Sequence, residues 1–154
     1  QTMRRYVSGI TVVTAIGADR NIIGLTASSF TSVSLEPPMV LVCISQSARS
    51  CRAFIEAGRI AIHMLADDQD EIARAFARRG GDRGQICSWR ANGRGFAILD
   101  RYFAVLECRI VDIHAAGGHA IMVAAVEALD GPSADKSPLV FHDGRMFALG
   151  APSS

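Results

Sequence analysis

Gly24-Leu25-Thr26-Ala27-Ser28-Ser29-Phe30-Thr31-Ser32-Val33-Ser34-Leu35-Glu36-Pro37-Pro38 is the stretch on which the reading of this chain turns. It sets six hydroxyl side chains in the nine positions from Thr26 to Ser34, between a glycine and a proline pair. The apolar run from Ile22 to Ala27 predicts a strand, and the alternation from Phe30 to Leu35 predicts another. Proline cannot donate to a ladder, so Pro37-Pro38 separates that second strand from a third. Small hydroxyl residues at a strand end let a flat ligand approach the backbone, where O–H and N–H groups can donate to phosphate or carbonyl oxygens. A solvent-facing strand decorated with Ser and Thr accounts for the same residues.

The next stretch strengthens the first reading. Met39 to Ile44 is a continuous apolar run of strand length, expected to be buried on both faces. It leads into Cys43-Ile44-Ser45-Gln46-Ser47-Ala48-Arg49-Ser50-Cys51-Arg52. A helix is expected from Ala48 to Ala57, with Ser47 as its N-cap and Gly58 as its stop. A helix N-terminus carries free N–H groups and partial positive charge, which suits an anion. Ser47 and Ser50 would lie beside those amides, and Arg49 and Arg52 could neutralise a phosphate. An ordinary capped helix with solvated arginines is the plain alternative.

Working outward, Gly9 to Ile16 and Arg59 to Leu65 predict strands. A second helix opens at Asp67 and runs to about Arg79, before Gly80-Gly81. Gly80 to Gly95 is glycine-rich and irregular, around Trp89. Tyr102 to His114 and His119 to Leu129 predict two long strands, with Gly117-Gly118 as their hairpin turn. Pro138 to Phe141 and Arg145 to Leu149 form a shorter pair around Asp143-Gly144. Seven to nine strands and two helices with short connections predict a mainly β, mostly antiparallel fold. A small closed barrel with flanking helices is the expected architecture.

Composition narrows the function. The 154 residues predict one domain, 1–154, too small for separate nucleotide and substrate domains. Sixteen basic against fifteen acidic residues give a formal net charge of +1, without the basic excess of a nucleic-acid binder. No apolar stretch reaches the length of a membrane span. Cys43, Cys51, Cys87 and Cys108 form no Cys-x-x-Cys pair, so no metal site is expected, and free thiols suggest the cytoplasm. No Gly-x-Gly-x-x-Gly, Walker loop, Gly-x-Ser-x-Gly or His-Glu-x-x-His motif occurs. The four histidines are isolated along the chain.

At these residues the sequence resembles the short-chain flavin reductases, the NAD(P)H:flavin oxidoreductases that serve two-component monooxygenases. The resemblance runs from Ser8-Gly9-Ile10-Thr11-Val12-Val13-Thr14 through the Gly24–Pro38 block to Leu41–Ser50. It continues at Leu65-Ala66-Asp67-Asp68-Gln69, Phe76-Ala77, Leu106-Glu107-Cys108 and Gly118-His119. It ends at Pro138-Leu139-Val140-Phe141-His142-Asp143-Gly144-Arg145. It implies an FMN-binding split β-barrel that forms a homodimer, with FMN or FAD at the subunit interface and NADH or NADPH as co-substrate. Carried over by position, Thr26, Ala27, Ser28 and Ser29 would line the isoalloxazine and ribityl chain. Cys43, Ile44 and Ser45 would meet the ring edge, and Ser47 and Ser50 the phosphate. His119 would stand on the nicotinamide side, and Arg145 near the cofactor mouth.

The resemblance departs at Gly118, where the family motif has Asp, and at Ala124, Ala125 and Met146. All lie on the side assigned to the pyridine nucleotide. Two functions follow: a reductase that passes hydride from nicotinamide to flavin and supplies a partner monooxygenase, or a flavin carrier or sensor without turnover. Hydride transfer between two cofactors asks the protein for stacking and water exclusion, which fits the lack of a catalytic triad or carboxylate pair.

Overall fold

A computed structural model of the chain describes residues 2–78, 80, 86–132 and 134–150. A 3₁₀ turn at Thr2–Arg5 precedes β1 (Ser8–Gly9), β2 (Thr11–Ile16), β3 (Ile22–Ala27), β4 (Thr31–Leu35) and β5 (Pro38–Ser45). Helix α1 (Arg49–Ala57), β6 (Arg59–Met64) and helix α2 (Asp70–Ala77) follow. A short pair, β7 (Trp89–Ala91) and β8 (Ala97–Leu99), leads to the long hairpin of β9 (Ala104–Ala116) and β10 (His119–Asp130). A small hairpin, β11 (Leu139–His142) and β12 (Arg145–Ala148), comes last. Every strand pair described is antiparallel. The fold is mainly β with two α-helices, as the sequence predicts.

Seven strands make one sheet in the order β3-β2-β6-β9-β10-β5-β4. Its two edge strands, β3 and β4, are consecutive in sequence, separated only by residues 28–30. Four Cα steps span at most roughly 14 Å. The sheet therefore curls until its edges come together at that corner. Among the described residues no ladder joins β3 to β4. On the β5 side, Ser29 prolongs the β4–β5 pairing past Thr31 with its side chain: Ser29 Oγ donates to the Cys43 carbonyl (2.8 Å) and accepts from the Cys43 N–H (3.1 Å).

Curling gives the sheet a shared interior. Val13 and Ala27 from one end pack in the same core as Val42 and Ile44 from the other, with Met122 and Cys108 between and Phe54 of α1 on top. β2 is buried on both faces. Its second face packs against α2, where Val12, Ile72, Ala73 and Phe76 form a separate cluster with Leu65 and Leu139. Gly24 is what lets α2 approach β3: a Cβ there would stand 2.7 Å from the Phe76 ring. A side chain at position 24 would force the helix off the sheet.

Four local expectations change. α2 opens at Asp70, with Gln69 at its N-cap position, and not at Asp67. β5 is not buried on both faces: Val40, Val42 and Ile44 are buried, and the alternate positions Met39, Leu41 and Cys43 are only half-buried. Ser47 is not the N-cap of α1; that position is Ala48, which offers no side-chain cap. The chain turns one residue later than Ser47 because the Ala48 N–H already bonds the Ser45 carbonyl. Gly80–Gly95 is not wholly irregular, since β7 enters a hairpin with β8 there. Asn92 Oδ1 holds that turn by accepting from the N–H groups of Arg94 and Phe96. Residues 81–85 of the stretch, like Arg79 at the expected end of α2, lie outside the described residues. The Gly58 stop, with φ 65°, and the Asp143-Gly144 turn, with φ 46° and 81°, stand as read.

His63 ties three elements together inside the fold and is fully buried. Its Nδ1 lies 3.1 Å from the Val12 carbonyl, and Nε2 accepts from the Leu99 N–H at 3.1 Å. Accepting from an N–H leaves Nε2 without a proton, so Nδ1–H donates and the ring is neutral. Burial lowers its pKa to about 4 from 6.5, partly opposed by the Val12 hydrogen bond. The unfolded chain therefore takes up a proton first as pH falls. Stability contributed by the neutral ring is complete above pH 6.5 and declines as pH falls toward about 4.

Two outcomes are expected. Denaturant midpoints measured from pH 7 to 4.5 will show a loss that His63→Asn largely removes from the slope, while lowering stability throughout. The loss reaches on the order of 3 kcal/mol by the low end; equal slopes in both proteins contradict the assignment. Ser29→Ala leaves the Cys43 N–H and carbonyl without their link and will cost about 1–3 kcal/mol in urea unfolding. A change below about 0.5 kcal/mol would show that the β3–β4 connection holds against β5 without it.

Candidate functional site

The site grows from the point where β5 ends. Ser45 is the last residue of β5 and pairs in register with His119, the first of β10. Cys43 pairs likewise with Ile121, and Ile44 with Ala120. Residues directly opposite in an antiparallel pair share a face. Ile44 and Ala120 are buried in the core, so Cys43, Ser45, His119 and Ile121 stand together on the opposite face.

The segment after β5 is fixed by the hairpin turn. The Gln46 N–H donates to the Gly118 carbonyl at 2.9 Å, and Gln46 Nε2 reaches the His119 carbonyl at 3.4 Å. The hydroxyls of Ser45 and Ser47 lie 2.9 Å apart. Ser47 is exposed, Ser50 half-buried and Arg49 exposed at the first turn of α1. The first turn of a helix directs N–H groups outward, and here no side chain caps them. Two serine hydroxyls, uncapped amides and Arg49 thus form a corner of hydrogen-bond donors with positive potential.

Ser28 and Ser29 approach this corner from the other sheet edge. Ser28 is exposed, while Ser29 is engaged with the Cys43 backbone. The structure therefore brings together Ser28, Ser29, Cys43, Ser45, Ser47, Arg49, Ser50 and His119. Other residues singled out in the sequence are turned elsewhere. The Thr26 hydroxyl donates to the Ala73 carbonyl of α2 at 2.6 Å. Ala27 and Ile44 place their side chains in the core, leaving only backbone for a ligand. Arg52 lies further along α1, where its Nε donates to Glu56 at 2.7 Å. Arg145 belongs to the separate three-stranded sheet of β1, β11 and β12.

Gln46 is the residue that sequence reasoning passed over. It sits between two serines in the quoted stretch, but its ties to Gly118 and His119 exist only across strands. The tie to Gly118 runs through that residue's carbonyl and asks nothing of its side chain. Ala124, another departure, is buried in the core and adds bulk to no open surface.

The donor corner, the half-buried face beside it and the single histidine suit a flat, anionic cofactor. Comparison with known proteins agrees. Residues 3–150 match the family model of the flavin reductase like domain. A protein of Rhizobium meliloti named "Probable flavin reductase" is 42% identical over 125 residues, which are 81% of this chain and 40% of that protein. The chain thus spans less than half the length of that relative. The FMN reductase (NADH) SmoA of Agrobacterium fabrum is 39% identical over 90% of this chain and 78% of its own. Among solved structures, the styrene monooxygenase flavin reductase of Pseudomonas putida superposes with a TM-score of 0.91. It is 27% identical, over 99% of this chain and 97% of that one. This chain belongs to the flavin reductase like family.

Proposed function

We propose that the protein is an NAD(P)H-dependent flavin reductase that passes hydride from nicotinamide to FMN or FAD and supplies the reduced flavin to a partner monooxygenase. The observation that carries this reading is the convergence, at one corner, of Ser47, Ser50 and the uncapped start of α1 with the face shared by Cys43, Ser45 and His119. The relatives named above, two of them flavin reductases with NADH or a monooxygenase in their names, support it.

When bound, the flavin and the nicotinamide carry the redox chemistry themselves. The chain's residues bind and orient. Ser47, Ser50 and Arg49 hold the flavin phosphate at the helix start. Ser28 and the backbone of Ala27 and Cys43–Ser45 line the ribityl chain and ring edge. His119, fixed on the same face by its pairing with Ser45, orients the nicotinamide. Thr26 acts indirectly, by holding α2 against β3, and so positions the strand end that carries Ser28.

The curled sheet, open between β3 and β4, supports a split-barrel description. A homodimer completes the site in this reading. β4 is exposed on most of its length, with Leu35 84% and Val33 48% exposed. The outer half of the β9–β10 hairpin likewise leaves Val111 and Ile113 uncovered. Such apolar exposure is what a second subunit would bury. The four thiols are free and favour the cytoplasm. Among the described residues no helix is long and apolar enough to cross a membrane.

The direct test is purified protein with FMN or FAD and NADH or NADPH, followed at 340 nm. Oxidation that depends on added flavin is expected; binding of flavin without oxidation overturns the reductase reading. Ser47→Ala with Ser50→Ala will weaken FMN by about tenfold or more while riboflavin, which lacks the phosphate, is nearly unaffected. Equal loss for both ligands removes the phosphate assignment. His119→Ala will raise KM for the nicotinamide several-fold, with flavin affinity within about twofold of wild type. Unchanged kinetics would take His119 out of the site.

A further inference from the structure

The register of β5, β10 and β9 carries the face of the donor corner one strand further. Ile121 pairs with Cys43 on one side and with His114 on the other. His119 pairs with Ser45 and Ala116, and Val123 with Leu41 and Asp112. Directly opposed residues share a face, so Asp112 and His114 stand on the same face as Cys43, Ser45 and His119. Met122, on the alternate side of β10, is buried in the core. His114 is the diagonal cross-strand neighbour of His119, a relation that sets two residues about 7–8 Å apart. A second imidazole thus joins the one at the donor corner.

Asp112 fixes this second ring. His114 Nε2 lies 3.0 Å from Asp112 Oδ2. The other carboxylate oxygen, Oδ1, accepts from the Ile113 N–H at 2.8 Å, which ties Asp112 to the strand itself. A carboxylate oxygen beside Nε2 keeps a proton on that nitrogen, so Nδ1 is the one left for a ligand. Among the described residues nothing engages Nδ1. The arginines of this face are already engaged. Arg109, paired with Ala125 six residues along β10 from His119, shares Glu127 with Arg59, at 3.1 and 2.8 Å.

We infer that His114, positioned by Asp112, binds the diphosphate of the nicotinamide dinucleotide. The inference rests on the flavin reductase reading above and deepens it. In that reading the flavin phosphate takes the side toward α1, and His119 orients the nicotinamide. From that ring the dinucleotide continues through one ribose to its first phosphate. Running toward β9, the ribose bridges the diagonal interval from His119 to His114. Cys43 and Ile121, in the same row as His114, offer a phosphate no charge. The imidazolium donates Nδ1–H to a phosphate oxygen while Nε2–H stays directed at Asp112, a charge-assisted hydrogen bond. What is recognised is a phosphate one sugar away from a nicotinamide, which NADH and NADPH share.

The test uses hydride donors shortened from the adenosine end, each with FMN as acceptor. They are NADH, reduced nicotinamide mononucleotide, dihydronicotinamide riboside and N-benzyl dihydronicotinamide. Wild-type protein and His119→Ala come first. Absence of flavin-dependent NADH oxidation, or a His119→Ala variant with unchanged KM for every donor, sinks the underlying reading and this inference with it. With both results in hand, His114→Gln is expected to raise KM for NADH and the mononucleotide about fivefold to tenfold relative to its KM for the riboside. An equal change for all four donors, or none for NADH, overturns the proposal. His114→Arg supplies a cation that needs no carboxylate and should keep KM for NADH within about twofold of wild type. A loss as large as that of His114→Gln would show that the ring matters for shape and not for charge, which also overturns it. Asp112→Asn should raise KM for the phosphate-bearing donors about threefold beside His114 and leave it unchanged beside His114→Arg. Equal effects in the two backgrounds remove the positioning role of Asp112. Both side chains are more than half exposed, so these substitutions leave the core untouched.

Discussion

Three residues, Ser28 to Phe30, join the first and last strands of a seven-stranded sheet. So short a connection fixes the distance between the sheet's edges, and everything else in the molecule accommodates it. An open sheet of seven strands would hold its edges tens of ångströms apart, since neighbours are spaced by about 4.8 Å. Here the sheet has to curl. Curling is what gives β2, β5, β6, β9 and β10 a common interior and lets one short helix, α1, pack against that core through Phe54.

The same constraint creates the donor corner. Bringing the β3–β4 connection against β5 engages Ser29 with the Cys43 backbone, where a neighbouring strand's amide and carbonyl would otherwise bond. A side chain serves in place of a strand, so the ladder stops and the surface opens there. The end of β5, the start of α1 and the start of β10 all emerge at this opening. Stability and the candidate site thus share one region: the interruption that leaves ladder bonds unmade also exposes the hydroxyl and amide donors.

The division of labour among the hydroxyl residues follows from strand periodicity. Thr26 bonds α2, Ser29 bonds β5, and Ser28 between them is exposed. Of the two positions flanking Ser28, one belongs to the core and one to the β4–β5 pairing. The cluster that looked like a single ligand-facing group in the sequence is therefore partly structural. His63 shows the complementary case. An isolated histidine proves to be a neutral core residue whose two nitrogens bind two strands.

The sequence by itself determined the class of fold, the positions of most strands, the two hairpin turns at Gly117-Gly118 and Asp143-Gly144, and the helix stop at Gly58. These depend on local chemistry: β-branched runs, positive-φ residues and proline. It also marked Ser47 and Ser50 as candidates, from residue type and a nearby helix start, whereas His119 was marked only by the family resemblance. The tertiary structure alone decided which hydroxyls are bonded within the fold, since the partners of Thr26 and Ser29 lie 47 and 14 residues away. It alone placed Gln46 against Gly118 and moved the cap of α1 to Ala48. It alone set Arg145 on a different sheet from the donor corner. Which face of a strand is free depends on what packs against it, and that is settled by contacts between distant segments, which no local pattern encodes.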